Sequence, residues 1–141
     1  MYQLVKVAEG IFTFMTSNCD FNTALGGDAS TAGRFYYGQA PEDTVFPYVI
    51  FFAVDNRDET PTMSESSYAV SVQFSIVEEA AAGPRACLDI ADKLRDRLNR
   101  STFGITDHTM MAATVEIERG PVLDDRTYLQ TCDYLIRGFE D

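Results

Sequence analysis

GRFYYGQAPEDTVFPYVIFF, residues 33–52, is the stretch on which the rest of this chain turns. Gly33 to Tyr37 is a short aromatic segment that stops at Gly38, and Gln39-Ala40-Pro41 breaks the chain after it. Two acids, Glu42 and Asp43, follow, and Pro47 then opens a run of β-branched and aromatic residues from Tyr48 to Phe52. Such residues fit a pleated surface, so the stretch predicts a strand, a turn and a second strand. Pro47 belongs near the start of the second strand, where a missing N–H does least harm. Val45 to Val54 is apolar on both faces. A strand of that kind is either covered on both sides or has an outer face that meets another subunit.

Working outward, Leu4, Val7, Ala8, Ile11 and Phe14 fall at helical spacing and predict an amphipathic helix over residues 3–15. Residues 16–32 are rich in Ser, Thr, Asn, Asp and Gly and read as a flexible loop, with Gly26-Gly27 as a breaker pair. Asp55 to Ser67 is a polar connection. Tyr68 to Val77 alternates, with Tyr68, Val70, Val72, Phe74 and Ile76 on one face of a strand. Gly83-Pro84 opens a second helix whose buried stripe is Cys87, Ile90, Ala91, Leu94 and Leu98. Ser101 to His108 is a connector. Met110 to Arg119 and Thr127 to Phe139 are the last two strands, with a turn region holding Gly120-Pro121 and Asp124-Asp125. In the first of them Met111, Ala113, Val115 and Ile117 are expected to share a face.

The order is α-β-β-β-α-β-β. It predicts an α+β fold, a mainly antiparallel sheet with two helices packed on one face, as one domain over residues 1–141. The sheet and helix core is expected over 33–139.

Composition narrows the function. A content of 45% hydrophobic and 23% charged residues is globular. A formal charge of −11 disfavours direct nucleic-acid binding, which needs clustered Lys and Arg. The same charge suits a passage through which DNA slides without sticking. Cys19, Cys87 and Cys132 are three thiols at wide spacing, read as reduced core residues rather than a disulfide or zinc framework. No apolar run approaches the length of a membrane span.

Chemistry is poorly represented. His108 is the only histidine and has no ligand cluster at metal spacing. Glu78-Glu79 and Asp124-Asp125 are neighbours, and neighbours on a strand point to opposite faces, where they cannot share a proton or a metal. Asp55-Asn56-Arg57-Asp58-Glu59 has the composition of a calcium loop without its central Gly or distal Glu. Gly26-Gly27 lacks the Gly-Lys-Ser/Thr ending of a phosphate cradle. The chain is expected not to be an enzyme, with no catalytic, metal-binding or cofactor-binding residues.

Charge distribution says more. Glu42, Asp43, Asp55, Asp58, Glu59 and Glu65 face Arg57 alone in the 42–65 region. Residues 84–100 carry Arg85, Lys93, Arg95, Arg97 and Arg100 against three Asp. An acidic edge and a basic helix on one subunit suit a head-to-tail contact between copies. A helix whose charges only pair with each other would look the same. Arg97 has no acid three or four residues away, and Arg85 has only Asp89, which Lys93 shares. The candidate interface or lumen residues are Glu42, Asp43, Asp55, Arg57, Asp58, Glu59, Arg85 and Arg97.

Several residues in order carry a resemblance. A helix precedes Arg34-Phe35-Tyr36-Tyr37, then Gln39-Ala40-Pro41, then Phe46-Pro47-Tyr48-Val49-Ile50-Phe51. The alternating strand at 68–77, the Ala86 to Leu98 helix and a terminal strand follow. From Gly33 onward the chain resembles the tail completion, or tail terminator, proteins of long-tailed bacteriophages and related gene transfer particles. The polar run 16–32 departs from that family, which passes more quickly from helix to strand. The resemblance implies a virion protein that forms a homo-oligomeric ring, usually a hexamer, at the head-proximal end of the tail tube. Its partners would be the tail tube protein and a head completion or connector protein, with DNA passing through the ring and no membrane involved. It would be present in the host cytoplasm during assembly. A head completion ring protein is the alternative within the same class. A monomeric small-molecule-binding α+β domain is the alternative outside it.

Overall fold

The computed structural model describes residues 2–58, 66–105, 108–124 and 126–140, and side chains over 7–54, 69–103, 112–123 and 126–137. Two helices come first, α1 (Tyr2–Thr16) and α2 (Cys19–Ala24). Strands β1 (Phe35–Tyr37), β2 (Tyr48–Asp58) and β3 (Ser66–Glu79) follow. After a single 3-10 turn at Ala80–Ala82 come α3 (Arg85–Leu98), β4 (Thr102–Ile105), β5 (His108–Asp124) and β6 (Thr127–Glu140). The strands form one six-stranded sheet in the order β1-β2-β3-β6-β5-β4. Only β1 and β2 are parallel, and every other pair is antiparallel. This is the expected α+β class, with a mixed sheet.

The sheet has one covered face. Val49 and Phe51 of β2, Val70, Val72, Phe74 and Ile76 of β3, and Cys132, Tyr134 and Ile136 of β6 are all buried. Against them lie Val7, Ile11 and Met15 of α1, four residues apart and therefore on one stripe. The stripe of α3 is the expected one: Cys87, Ile90, Ala91, Leu94 and Leu98. On the other face Ile50 and Phe52 are half-buried and Val54 is exposed, with Ser71, Gln73, Ser75 and Thr131 beside them. The strand that is apolar on both faces is therefore covered on one only.

Four expectations need correction, the first being that the expected connector Ser101–His108 holds a sixth strand, β4, which pairs with β5. The polar run 16–32 is not simply a loop, because Asn18 accepts the Phe21 N–H at 2.9 Å and starts α2. Phe21 and Leu25, four residues apart, carry α2 into the core. They are the only large apolar residues in that run, so polarity masks them. The Asp55–Ser67 connection is shorter than expected, since β2 runs to Asp58 and β3 begins at Ser66. The turn expected at Gly120-Pro121 is strand, and the chain reverses between Asp124 and Thr127. Pro121 is tolerated because it lies within an irregularity between Arg119 and Val122, beyond the reach of β4.

One irregularity changes a face. Val115 sits opposite Tyr134 but Ile117 sits opposite Asp133, so Glu116 is an extra residue. A one-residue bulge turns every following side chain over. Ile117 therefore leaves the buried face that Ala113 and Val115 occupy and stands 49% exposed.

The thiols also divide. Cys87 and Cys132 are buried, whereas Cys19 is exposed on α2. Burial, with Glu78 nearby, pushes the Cys87 thiol up to about 11. Burial likewise pushes Cys132 up to about 11, with Arg95 opposing and Asp133 adding to it. A rise of roughly two units leaves about a hundredfold less thiolate near neutral pH. In the folded protein a maleimide should label Cys19 alone, and all three thiols only in denaturant. Rapid native labelling of Cys132, read by peptide mass, would contradict its burial.

Candidate assembly surfaces

An aromatic cluster connects the helices to the start of the sheet. The Phe35 ring on β1 stacks on Phe51 at 4.6 Å and on Phe12 at 5.8 Å, and meets Phe21 edge-on at 5.1 Å. Phe51 and Phe74 continue the stack at 5.7 Å. Arg34, beside it, turns inward: its Nε donates to the Pro47 carbonyl at 2.9 Å, which fixes the entry to β2. Between α1 and β1 opens a cavity of about 570 Å³, lined by Ala8, Glu9, Phe12, Thr13, Phe35 and Tyr37 among others. Its walls are mostly apolar. Phe12 and Tyr37 on its rim are 39% and 51% exposed.

Glu42 and Asp43 are exposed in the turn between β1 and β2, where Asp43 adopts a left-handed φ of 59°. Asp can hold that conformation because its short polar side chain is tolerated there. Asp55, Arg57 and Asp58 lie at the far end of β2, opposite Ser71, Ala69 and Tyr68 of β3. Glu59 lies outside the described residues. The part of β2 before Asp55, roughly 23 Å of strand, thus separates the two groups of acids. They form two acidic ends, not one acidic patch.

The arginines of α3 separate as well. Arg85 is exposed at its first turn. Cys87, two residues on, reaches the Ile76 carbonyl, and Ile76 pairs with Val49. Arg85 is therefore at the end of the sheet where β2 begins, the end that carries Glu42 and Asp43. Arg97 is engaged within the chain. Its guanidinium lies 3.9 Å over the Phe14 ring and donates to the Phe14 carbonyl and the Ser17 hydroxyl, clamping α1 to α3. Lys93 pairs with Asp89 at 2.8 Å, and Arg95 makes a bidentate contact with Glu118 on β5. Much of the basic charge of α3 is thus answered internally. Among the described residues no group of three or more His, Cys, Asp and Glu could hold a metal ion.

A profile of the family described as tail completion protein gp17 matches residues 22–137. The chain belongs to that family. It is a structural protein of a virion tail. The match begins within α2, so α1 lies outside it. Among solved structures, a chain of the virion of a native gene transfer agent particle shares the fold with a TM-score of 0.81 at 11% identity. The alignment covers 99% of this chain and 99% of that one. A second solved chain aligns with a TM-score of 0.68 at 10% identity, over 100% of this chain and 96% of that one. No curated protein matches in sequence.

For a tail completion protein the assembly surfaces matter more than any pocket chemistry. Sequence periodicity missed two exposed apolar positions. Phe12 lies off the main stripe of α1, and an off-stripe aromatic on an amphipathic helix was the available signal. The exposure of Ile117 depends on the bulge at Glu116, which alternation alone does not show.

Proposed function

We propose that this chain is a tail terminator, acting as a homo-oligomeric ring, of six copies by the habit of the family, at the head-proximal end of a tail tube. One face of the ring stops tube growth and the other receives a head completion or connector protein. The observation that carries this reading is the family match combined with a sheet that its own helices cover on one face only. Ile50, Phe52, Val54 and Ile117 on the other face are more apolar than a solvated face requires, which suits packing between proteins.

The charge of −11 supports a lumen through which DNA passes without binding. In this reading the β2 end that carries Asp55 and Asp58 faces the lumen or a partner ring. Assembly would take place in the host cytoplasm before the protein is fixed in the virion.

The test removes the protein from assembling particles. Tails made without it should vary in length and fail to join heads, and antibody to the restored protein should mark one tail end. Reversing charge at Asp55, Asp58 and Glu59 should leave tail length intact and reduce DNA delivery. Uniform tails without the protein, or label on the head side alone, would favour a head completion ring instead.

A further inference from the structure

Strand β5 does not keep one register against β6. Val115 lies opposite Tyr134, but Ile117, Glu118 and Arg119 lie opposite Asp133, Cys132 and Thr131, one residue out of step. Val122 meets Leu129 after a second step of one residue. A run of three residues is therefore held between two irregularities, one at Glu116 and one at Gly120-Pro121.

On its outer side this run has no neighbour. The main chain of Arg100 and Ser101 bonds Ala113, and the Asn99 side chain accepts the Val115 N–H at 2.8 Å. Beyond Val115 no strand among the described residues lies alongside β5. Ile117–Arg119 is thus paired to β6 alone. The strand is fixed on either side of it, by β4 before and by the turn that pairs Asp124 with Thr127 after.

The observed register answers charge and leaves apolar surface open. Arg95 meets Glu118, and Arg119 pairs with Asp133 at 3.2 Å. Ile117 stands 49% exposed on the uncovered face. Shifting the run by one residue removes the Glu116 bulge and turns every side chain of the run over. Ile117 then lies opposite Cys132 on the covered face, in line with Ala113 and Val115. Arg119 comes opposite Gln130, which is 4% exposed and whose Oε1 accepts no hydrogen bond from the described residues. Against this, both ion pairs are lost and Glu116 is set opposite Asp133, acid against acid. The extra residues gather at Gly120-Pro121, where Pro has no N–H to withdraw from the ladder.

We infer that Ile117–Arg119 is a register switch, a run that exchanges between these two pairings while the sheet stays folded. One pairing presents Ile117 on the face assigned above to packing between proteins, and the other withdraws it. A partner that contacts Ile117 selects the first. The exchange itself does not rest on the terminator reading.

Disulfide trapping tests it, in a Cys19→Ser and Cys87→Ala background that keeps Cys132 as the native thiol. Glu118→Cys lies opposite Cys132 in the observed pairing and should oxidise readily. Ile117→Cys points to the other face there, so a 117–132 disulfide, read by peptide mass, requires the shifted pairing. It should form more slowly, at a rate unchanged by low urea, because the shift exposes little surface. Arg95→Gln should raise that rate about two- to fivefold, the effect of removing one ion pair. Deleting Glu116 takes away the extra residue and should abolish the 117–132 bond while sparing the 118–132 bond. No 117–132 disulfide where 118–132 forms would overturn the inference. So would a rate that climbs with urea or survives the deletion unchanged, since the bond then forms from unfolded chain. Where the deletion does not fold, relaxation-dispersion NMR of the unaltered protein decides. Two-state exchange at Ile117 and not at Ala113 supports the switch, and a single state at Ile117 overturns it.

Discussion

Phe35→Ala should lower the unfolding free energy by about 3–5 kcal/mol, the usual cost of deleting a buried aromatic ring. The ring is 2% exposed and meets Phe12, Phe21, Phe51 and Phe74, which come from both N-terminal helices and two strands. Its neighbours cannot easily collapse into the space, because each is held by a different backbone element. Stacked and edge-on pairs contribute beyond the area they bury, by about 0.5–1.5 kcal/mol each. Urea unfolding is the measurement, with a lower midpoint at an unchanged slope. Phe12→Ala is the comparison, since a partly exposed ring should cost about 1 kcal/mol. Equal losses for the two variants would show that Phe35 does not centre the cluster.

Asn22→Asp is expected to be nearly as damaging, for a different reason. Asn22 is buried, and its Nδ2 donates to the Thr16 carbonyl at 2.7 Å and the Asp28 carbonyl at 3.1 Å. Its backbone carbonyl accepts from Gly27 and Leu25. One side chain therefore ties the end of α1, all of α2 and the loop toward β1 together. A carboxylate there has no proton to donate and faces two carbonyl oxygens, at a cost of about 3 kcal/mol or more. Asn22→Ala removes the donors without adding charge and should cost about 2 kcal/mol. Acid separates the two variants. A carboxyl buried among oxygens has a raised pKa, so its penalty is present above that pKa and fades as pH falls toward the unfolded value. The Asn22→Ala deficit should show no such recovery. Midpoints of thermal unfolding between pH 7 and 4.5 would distinguish them, and a pH-independent Asn22→Asp deficit would place the side chain in solvent.

The elements that could be read from the sequence are those whose period is unbroken. Val70 to Ile76 alternates without interruption, and Cys87 to Leu98 keeps one helical stripe, so both lie where their spacing puts them. The α2 helix was hidden because two apolar residues, Phe21 and Leu25, carry it, while its capping residue Asn18 sits in a run of polar neighbours. Ile117 leaves the face that alternation predicts because a bulge adds one residue without leaving a mark in the pattern. Of the predicted interface residues, Glu42 and Asp43 lie beside the β1 edge, whereas Arg97 already has partners in α1. Charge counted along the chain cannot tell an ion that faces solvent from one answered across a helix contact.

The residue pattern alone is enough for the α+β class, the two main helices and the apolar second strand. These follow from local spacing and composition, which act on neighbours in the chain. Which strands are edges, where the acids separate, and that no strand among the described residues lies beyond β1 or the far half of β5 are properties of the tertiary structure. Those properties depend on pairing between residues far apart in sequence, where one inserted residue or one short partner strand changes which groups remain exposed.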